Sequence, residues 1–141
     1  MLEIKLLGPN DFEYLSNVAP DVFDDPLVPS SAREFLNDPR HRIVVAIDNG
    51  VVVGFVSAVV YLHPDKSAPE LWINEVGVAP THQGQGLGKR LMQQMLDEAK
   101  QSGCKEAWVL TERHNTAAMA LYKSVDGIES IPDPTMFTFE L

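Results

Sequence analysis

The chain has a single cysteine, Cys104, in 141 residues, which excludes an internal disulfide framework. It also lacks an apolar run that could span a bilayer: the longest, VVVGFVSAVVYL from 51 to 62, falls well short of the roughly 20 residues a membrane helix needs. The N-terminal MLEIKLL has no basic segment or cleavage site, so the chain is expected to be cytoplasmic and without a membrane partner. Positive charge is scarce, with 11 Lys and Arg against 20 Asp and Glu, a net charge of -9 and a pI near 4.7. No basic stripe is therefore available to neutralise a nucleic-acid backbone. The histidines His41, His63, His82 and His114 fall at no metal-ligand spacing, and no metal is expected.

What is present is the composition of one globular domain over residues 1–141, with 45% hydrophobic and 22% charged residues. The acidic balance fits a cationic small-molecule partner, although colloidal solubility alone would also account for it. Asp21, Asp24 and Asp25 cluster in the irregular segment DVFDDPLVP and are the more local sign of such a partner.

Residues 2–7 read as a strand. Asn10 and Asp11 can cap a helix over about 11–18, and Ser30 or Ser31 a second one that stops at Asp38-Pro39. The β-branched runs Ile43–Ile47 and Val51–Leu62 flank Asp48-Asn49-Gly50, a hairpin signal. Glu70–Val78 reads as a strand, and Leu87, Leu91 and Met95 place the apolar stripe of a helix that reaches about Ser102. A strand over Glu106–Thr111, a helix capped by Asn115, and two short strands near 127–131 and 135–141 complete the order β-α-α-β-β-β-α-β-α-β-β. The expected fold is a mixed α/β domain with a mostly antiparallel sheet, its one parallel crossover lying between 70 and 111.

Between the strand Glu70–Val78 and the following helix lies Gln83-Gly84-Gln85-Gly86-Leu87-Gly88-Lys89. A helix start with so few side chains offers free backbone N–H groups and the positive end of the helix dipole, a site for phosphate. A Walker loop is excluded, because three residues rather than four precede Gly88-Lys89 and Arg90 stands where a hydroxyl is required. A dinucleotide fingerprint is excluded by the single residue between Gly86 and Gly88. A turn that merely lets the helix approach the sheet is the remaining structural alternative.

The pattern Gln83-x-x-Gly86-x-Gly88 after Val76-Gly77-Val78 resembles the acetyl-CoA loop of the GCN5-related N-acetyltransferase superfamily. Asn115-Thr-Ala-Ala-Met-Ala-Leu-Tyr122 resembles that family's second motif, and the element order matches along essentially the whole chain. The resemblance implies an acetyl-CoA-dependent N-acetyltransferase, with Val76, Gly77, Val78, Gln83, Gly84, Gln85, Gly86, Leu87, Gly88, Lys89 and Asn115 at the cosubstrate. Asp21-Val22-Phe23, the end of the Glu75 strand and the Ala-Leu-Tyr triplet look most like the aminoglycoside 3-N-acetyltransferase branch. A protein N-terminus, a lysine or a polyamine is the alternative acceptor, and a non-catalytic acyl-CoA-binding module the alternative of another class. An exposed terminal strand would suit pairing across a homodimer.

Acetylation of an ammonium needs a base, and Glu75 is the candidate. Strict alternation places it with Leu71, Ile73 and Gly77, among apolar neighbours that would disfavour its charged form. The alternatives are an ion pair or a solvent-facing carboxylate at a splay in the sheet. By resemblance, the Val76 N–H stabilises charge on the thioester oxygen, and Tyr122 is the general acid for the thiolate. A ring packed in the core would equally explain Tyr122, and helix capping would explain Asn115. After Tyr122 the chain reads Lys-Ser-Val-Asp-Gly where the superfamily more often has a Leu-Gly-Phe ending, which bears on the acceptor side rather than on the cosubstrate. Cys104, at the end of the long helix, is expected to be a packing residue.

Overall fold

Five strands form one sheet in the order β1-β2-β3-β4-β5, in a computed structural model that describes residues 1–131 and 133–141. They are β1 (Leu2–Leu6), β2 (His41–Asp48), β3 (Val51–Tyr61), β4 (Glu70–Val78) and β5 (Glu106–Val109). Neighbours pair antiparallel from β1 to β4, and β4 pairs parallel with β5. The β2–β3 hairpin closes through Asn49 and Gly50, both at positive φ (50° and 81°), as its tight turn requires.

Helix α2 (Leu87–Gln101) lies along one face of the sheet and buries Leu87, Leu91, Met92, Met95 and Ala99. Gly54 on β3 makes room for it: a Cβ there would meet the Leu91 side chain at 3.2 Å. The predicted stripe and strand Glu70–Val78 are therefore found, and α3 (Thr116–Ser124) follows its Asn115 cap as expected. On the opposite face lie a short 3-10 helix (Phe12–Ser16), the acidic segment after it and α1 (Pro29–Asn37). Phe23 stacks on Phe55 of β3 at 4.1 Å, which sets the acidic segment against the sheet.

Three expectations need correction. The first helix is one 3-10 stretch, because Asn17 and Val18 leave it to join β3: the Val52 N–H donates to the Asn17 carbonyl, and the Ala19 N–H to the Val52 carbonyl. The Asp11 carboxylate, expected to cap that helix, accepts from the Gly8 N–H instead (2.8 Å). Helix α1 starts on Pro29 with Val28 as its cap rather than on Ser30 or Ser31, proline being suited to a first helical position. The two terminal strands are absent among the described residues of 127–141, and the sheet ends at β5. Gly127 belongs instead to the end of α3, its N–H bonded to the Tyr122 carbonyl (2.9 Å), and Pro134 offers no N–H to a ladder.

Candidate active site

One extra residue divides β4. Ala58 of β3 stands opposite Ile73, but the next residue, Ser57, stands opposite Glu75, so Asn74 is a bulge. The insertion reverses the alternation. Leu71, Ile73, Val76 and Val78 share the α2 side with Val56 and Gly54, whereas Glu70, Trp72, Glu75 and Gly77 share the other with Phe55 and Ser57. Glu75 thus keeps the expected company of Gly77 but not that of Leu71 and Ile73. Its side chain is exposed on the face of the acidic segment, not surrounded by apolar groups.

The same point marks the end of two-sided pairing. β5 follows β4 only from Glu106 opposite Glu70 to Val109 opposite Ile73. From Asn74 to Val78, β4 is paired to a strand on the β3 side alone among the described residues. Backbone polar groups on the free edge need partners, so the edge that opens beside Glu75 is suited to a chain-like ligand.

At the end of this open half the chain turns through Pro80–His82 into the glycine segment. Gln83 Nε2 donates to the Val78 carbonyl at 3.0 Å and holds the turn to the strand. His82 Nε2 lies 2.8 Å from Asp48 Oδ2, and its Nδ1 lies 2.8 Å from Thr81 Oγ1. The hydrogen bond with His82, more than the nearby N-terminal charge, keeps the Asp48 carboxyl below its ordinary range. This anchor to the β2–β3 turn was not readable in the sequence, where nothing local links residue 48 to residue 82.

Gly84 and Gly86 adopt φ of 75° and 79°, which a side chain would strain, and a Cβ on either would meet no protein atom within 4 Å. The first intrahelical bond of α2 runs from the Arg90 N–H to the Gly86 carbonyl, so the N–H groups ahead of it have no acceptor within the helix. Gln83, Gly84, Gln85, Gly86, Lys89 and Arg90 are exposed, while Leu87 is anchored in the core. Free amides beside open space fit a pyrophosphate. Gly88 has a different cause: a Cβ there would meet the Leu121 side chain at 3.3 Å, so it seats α3 on α2.

Tyr122 follows Leu121 and therefore lies one residue from that contact. Burial pushes its phenol pKa up, which preserves the protonated form a donor requires. Asn115, at the other end of α3, accepts from the Ala118 N–H at 3.1 Å, so its side chain serves as a cap. Asp126 at φ 67° turns the chain out of α3, the task of the unusual Val-Asp-Gly ending. Cys104 is buried and its thiol pKa is raised by desolvation, as befits packing.

The face that carries Glu75 has a contact that alternation alone did not reveal. A Cβ on Gly77 would collide with the Val22 carbonyl oxygen and the Phe55 ring, so the acidic segment rests directly on the β4 backbone. Beside it lies a cleft of about 400 Å³ lined in part by Phe23, Asp21, Asp24 and Asp25.

The sequence pattern of the Acetyltransferase (GNAT) family matches residues 12–127. The chain belongs to this family. It is 35% identical over 105 residues to the N-alpha-acetyltransferase RimI of Mycobacterium tuberculosis (strain ATCC 25618 / H37Rv), a match covering 74% of this chain and 63% of that protein. The match thus spans a little under two thirds of that relative's length. The fold is shared with an aminoglycoside acetyltransferase, meta-AAC0020, from an uncultured soil metagenomic sample, solved with trehalose (TM-score 0.84) and with sisomicin (TM-score 0.82). Identity is 20% in both, over 99% of this chain and 97% of that one. The aminoglycoside N-acetyltransferase AAC(6')-Iy in complex with CoA superposes with a TM-score of 0.76 at 20% identity, covering 99% and 95% of the two chains.

Proposed function

We propose that the protein transfers the acetyl group of acetyl-CoA directly to a primary amine on a cationic small molecule, an aminoglycoside in the first instance. The observation that carries this is the meeting, at one end of β4, of an open strand edge with a helix start whose glycines leave space and free amides. Acetyl-CoA supplies an activated thioester. The amides from Gly84 to Lys89 hold its pyrophosphate, and Gln83 keeps the turn in place through Val78. Val76, Gly77 and Val78 line the path along the strand.

Glu75 removes a proton from the ammonium, directly or through water, since only the free amine is nucleophilic. The Val76 N–H donates to the carbonyl oxygen as negative charge builds there, an interaction worth more in the transition state than before it. Tyr122, a phenol protonated at neutral pH and with its pKa raised further by burial, donates to the departing sulfur. Asp21, Asp24 and Asp25, on the segment that rests on Gly77, attract the cationic acceptor toward the Glu75 face.

A second acceptor, a protein N-terminus, is favoured by the 35% identity to an N-alpha-acetyltransferase. A screen for CoA release with aminoglycosides, polyamines and short peptides separates the two. Release with none of them, from a protein that binds acetyl-CoA, would leave only a binding module. Independently, Gly86→Val should abolish acetyl-CoA binding in a folded protein, since the added methyls fill the space beside the amides and strain a left-handed residue. Calorimetry checks it, and unchanged affinity would remove the phosphate role of the turn.

A further inference from the structure

The outer half of the Glu75 face carries an aromatic cluster that the chemistry above leaves unused. Trp72 of β4 and Trp108 of β5 stand opposite each other and stack with ring centroids 4.9 Å apart and planes 10° from parallel. The polar atoms around them are already committed. Trp108 Nε1 donates to the Tyr61 hydroxyl at 2.6 Å, and that hydroxyl donates to Glu70 Oε1 at 2.9 Å. His63 Nε2 lies 3.4 Å from the same carboxylate oxygen. The network fixes the indole pair, yet Trp72 remains 40% exposed. The helical layer on this face contacts β2 and β3 instead.

We infer that the Trp72–Trp108 stack is the platform on which the body of the acceptor lies, and that it selects ring-bearing polycations over linear ones; this rests on the acetyltransferase reading above. Trp72 and Glu75 lie on one face, three residues apart along β4. At about 3.3 Å per residue they are separated by roughly 10 Å or less. An acceptor spanning them needs a body of two or three linked rings, with its reacting amine at Glu75. Charge agrees with that occupant. Glu70 and Glu106 stand opposite each other beside the indoles, Glu75 lies further along, and Asp21, Asp24 and Asp25 belong to the segment that rests on Gly77 beyond it. Carboxylates around an exposed indole favour a flat or saccharide ring that carries ammonium groups, because the ring packs on the aromatic surface while its charges are attracted by the indole and the acids.

Trp72 and Trp108 are the chain's only 2 tryptophans, so emission excited selectively from tryptophan, apart from the 3 tyrosines, reports on this platform alone. Sisomicin serves as the ring-bearing probe and spermidine as the linear one. Sisomicin should change the tryptophan emission saturably, with a larger response than spermidine. Trp72→Ala should raise KM for sisomicin by about 3- to 20-fold while kcat holds, shifting the sisomicin-to-spermidine KM ratio, and Trp72→Phe should recover most of the loss. A melting temperature for each variant identifies one that is unfolded, and in that case the wild-type fluorescence titration decides. An unchanged sisomicin KM in folded Trp72→Ala, or no saturable emission change with sisomicin, overturns the platform while CoA release with any amine keeps the acetyltransferase reading intact. Loss of that reading would show separately, as acetyl-CoA binding without CoA release from any amine.

Discussion

From Glu70 to Ile73, β4 is bonded to a strand on each side, and Leu71 and Ile73 are sealed in the core. From Asn74 to Val78 it is bonded to β3 alone, and its carboxylate is exposed. One inserted residue makes the difference. The bulge marks the end of the pairing with β5 and turns Glu75 toward the face of the acidic segment, so a single strand is sealed in its first half and open in its second. The comparison predicts that substitutions in the two halves separate: stability should respond in the first, turnover in the second.

The largest effect should come from Leu71→Ala, because the side chain is fully buried and the cavity can collapse only in part. A loss of about 3 kcal/mol is expected, read as a shift in the midpoint of a denaturant titration. Specific activity of the folded fraction should stay close to that of the parent. A stability loss confined to a few tenths of a kcal/mol would break the division at its structural end.

Glu75→Gln should leave the melting temperature and acetyl-CoA affinity in place and lower turnover about ~10²-fold near neutral pH. The deficit should shrink as pH approaches the pKa of the acceptor amine, where free base is plentiful. A pH-independent deficit would assign Glu75 to positioning and transfer the base role to a group reached through water.

Tyr122→Phe sharpens the comparison from outside the strand. Turnover at saturating acetyl-CoA should fall by up to ~10²-fold with the melting temperature preserved. Near-parental turnover would reduce Tyr122 to packing, since a thiolate is a good leaving group without assistance.

The smallest effect belongs to the acid end of the paired half. The Tyr61 hydroxyl, ahead of His63, holds the Glu70 carboxyl below its ordinary value. A carboxyl depressed in the folded state stabilises it above the unfolded pKa of about 4.5, and that contribution is lost as pH falls below this value and through the folded one. Glu70→Gln should therefore lower the melting temperature slightly at pH 7 and flatten its decline on acidification. An identical acid limb in both proteins would deny Glu70 this role.

Much of the scaffold was legible because local signals and tertiary packing agree there. The stripe Leu87, Leu91, Met95 and the Asn115 cap gave α2 and α3 nearly to the residue. The glycine segment divides in the structure: Gly88 meets Leu121, as close packing requires, whereas Gly84 and Gly86 border open space. The orientation of Glu75 was not legible, since period-two alternation assumes a regular ladder and Asn74 carries no mark of a bulge. The Trp72–Trp108 stack and the contact of Gly77 with Val22 depend on register and on a segment far away in sequence. The terminal strands failed for the opposite reason. Residues 135–141 have a strand-like sequence, but sequence pattern alone cannot supply a pairing partner.

That last segment has a colloidal consequence. Phe137 and Phe139 are 80% and 81% exposed, with Met136 and Leu141 beside them, and the outer edge of β5 is unpaired among the described residues. Each molecule thus offers an apolar strand-like end and an edge that could accept one. A net charge of -9 opposes such pairing through mutual repulsion. Salt shortens the reach of that repulsion from about 10 Å at 0.1 M to about 3 Å at 1 M, so concentrated solutions should stay clear at low ionic strength and turn cloudy as salt is added.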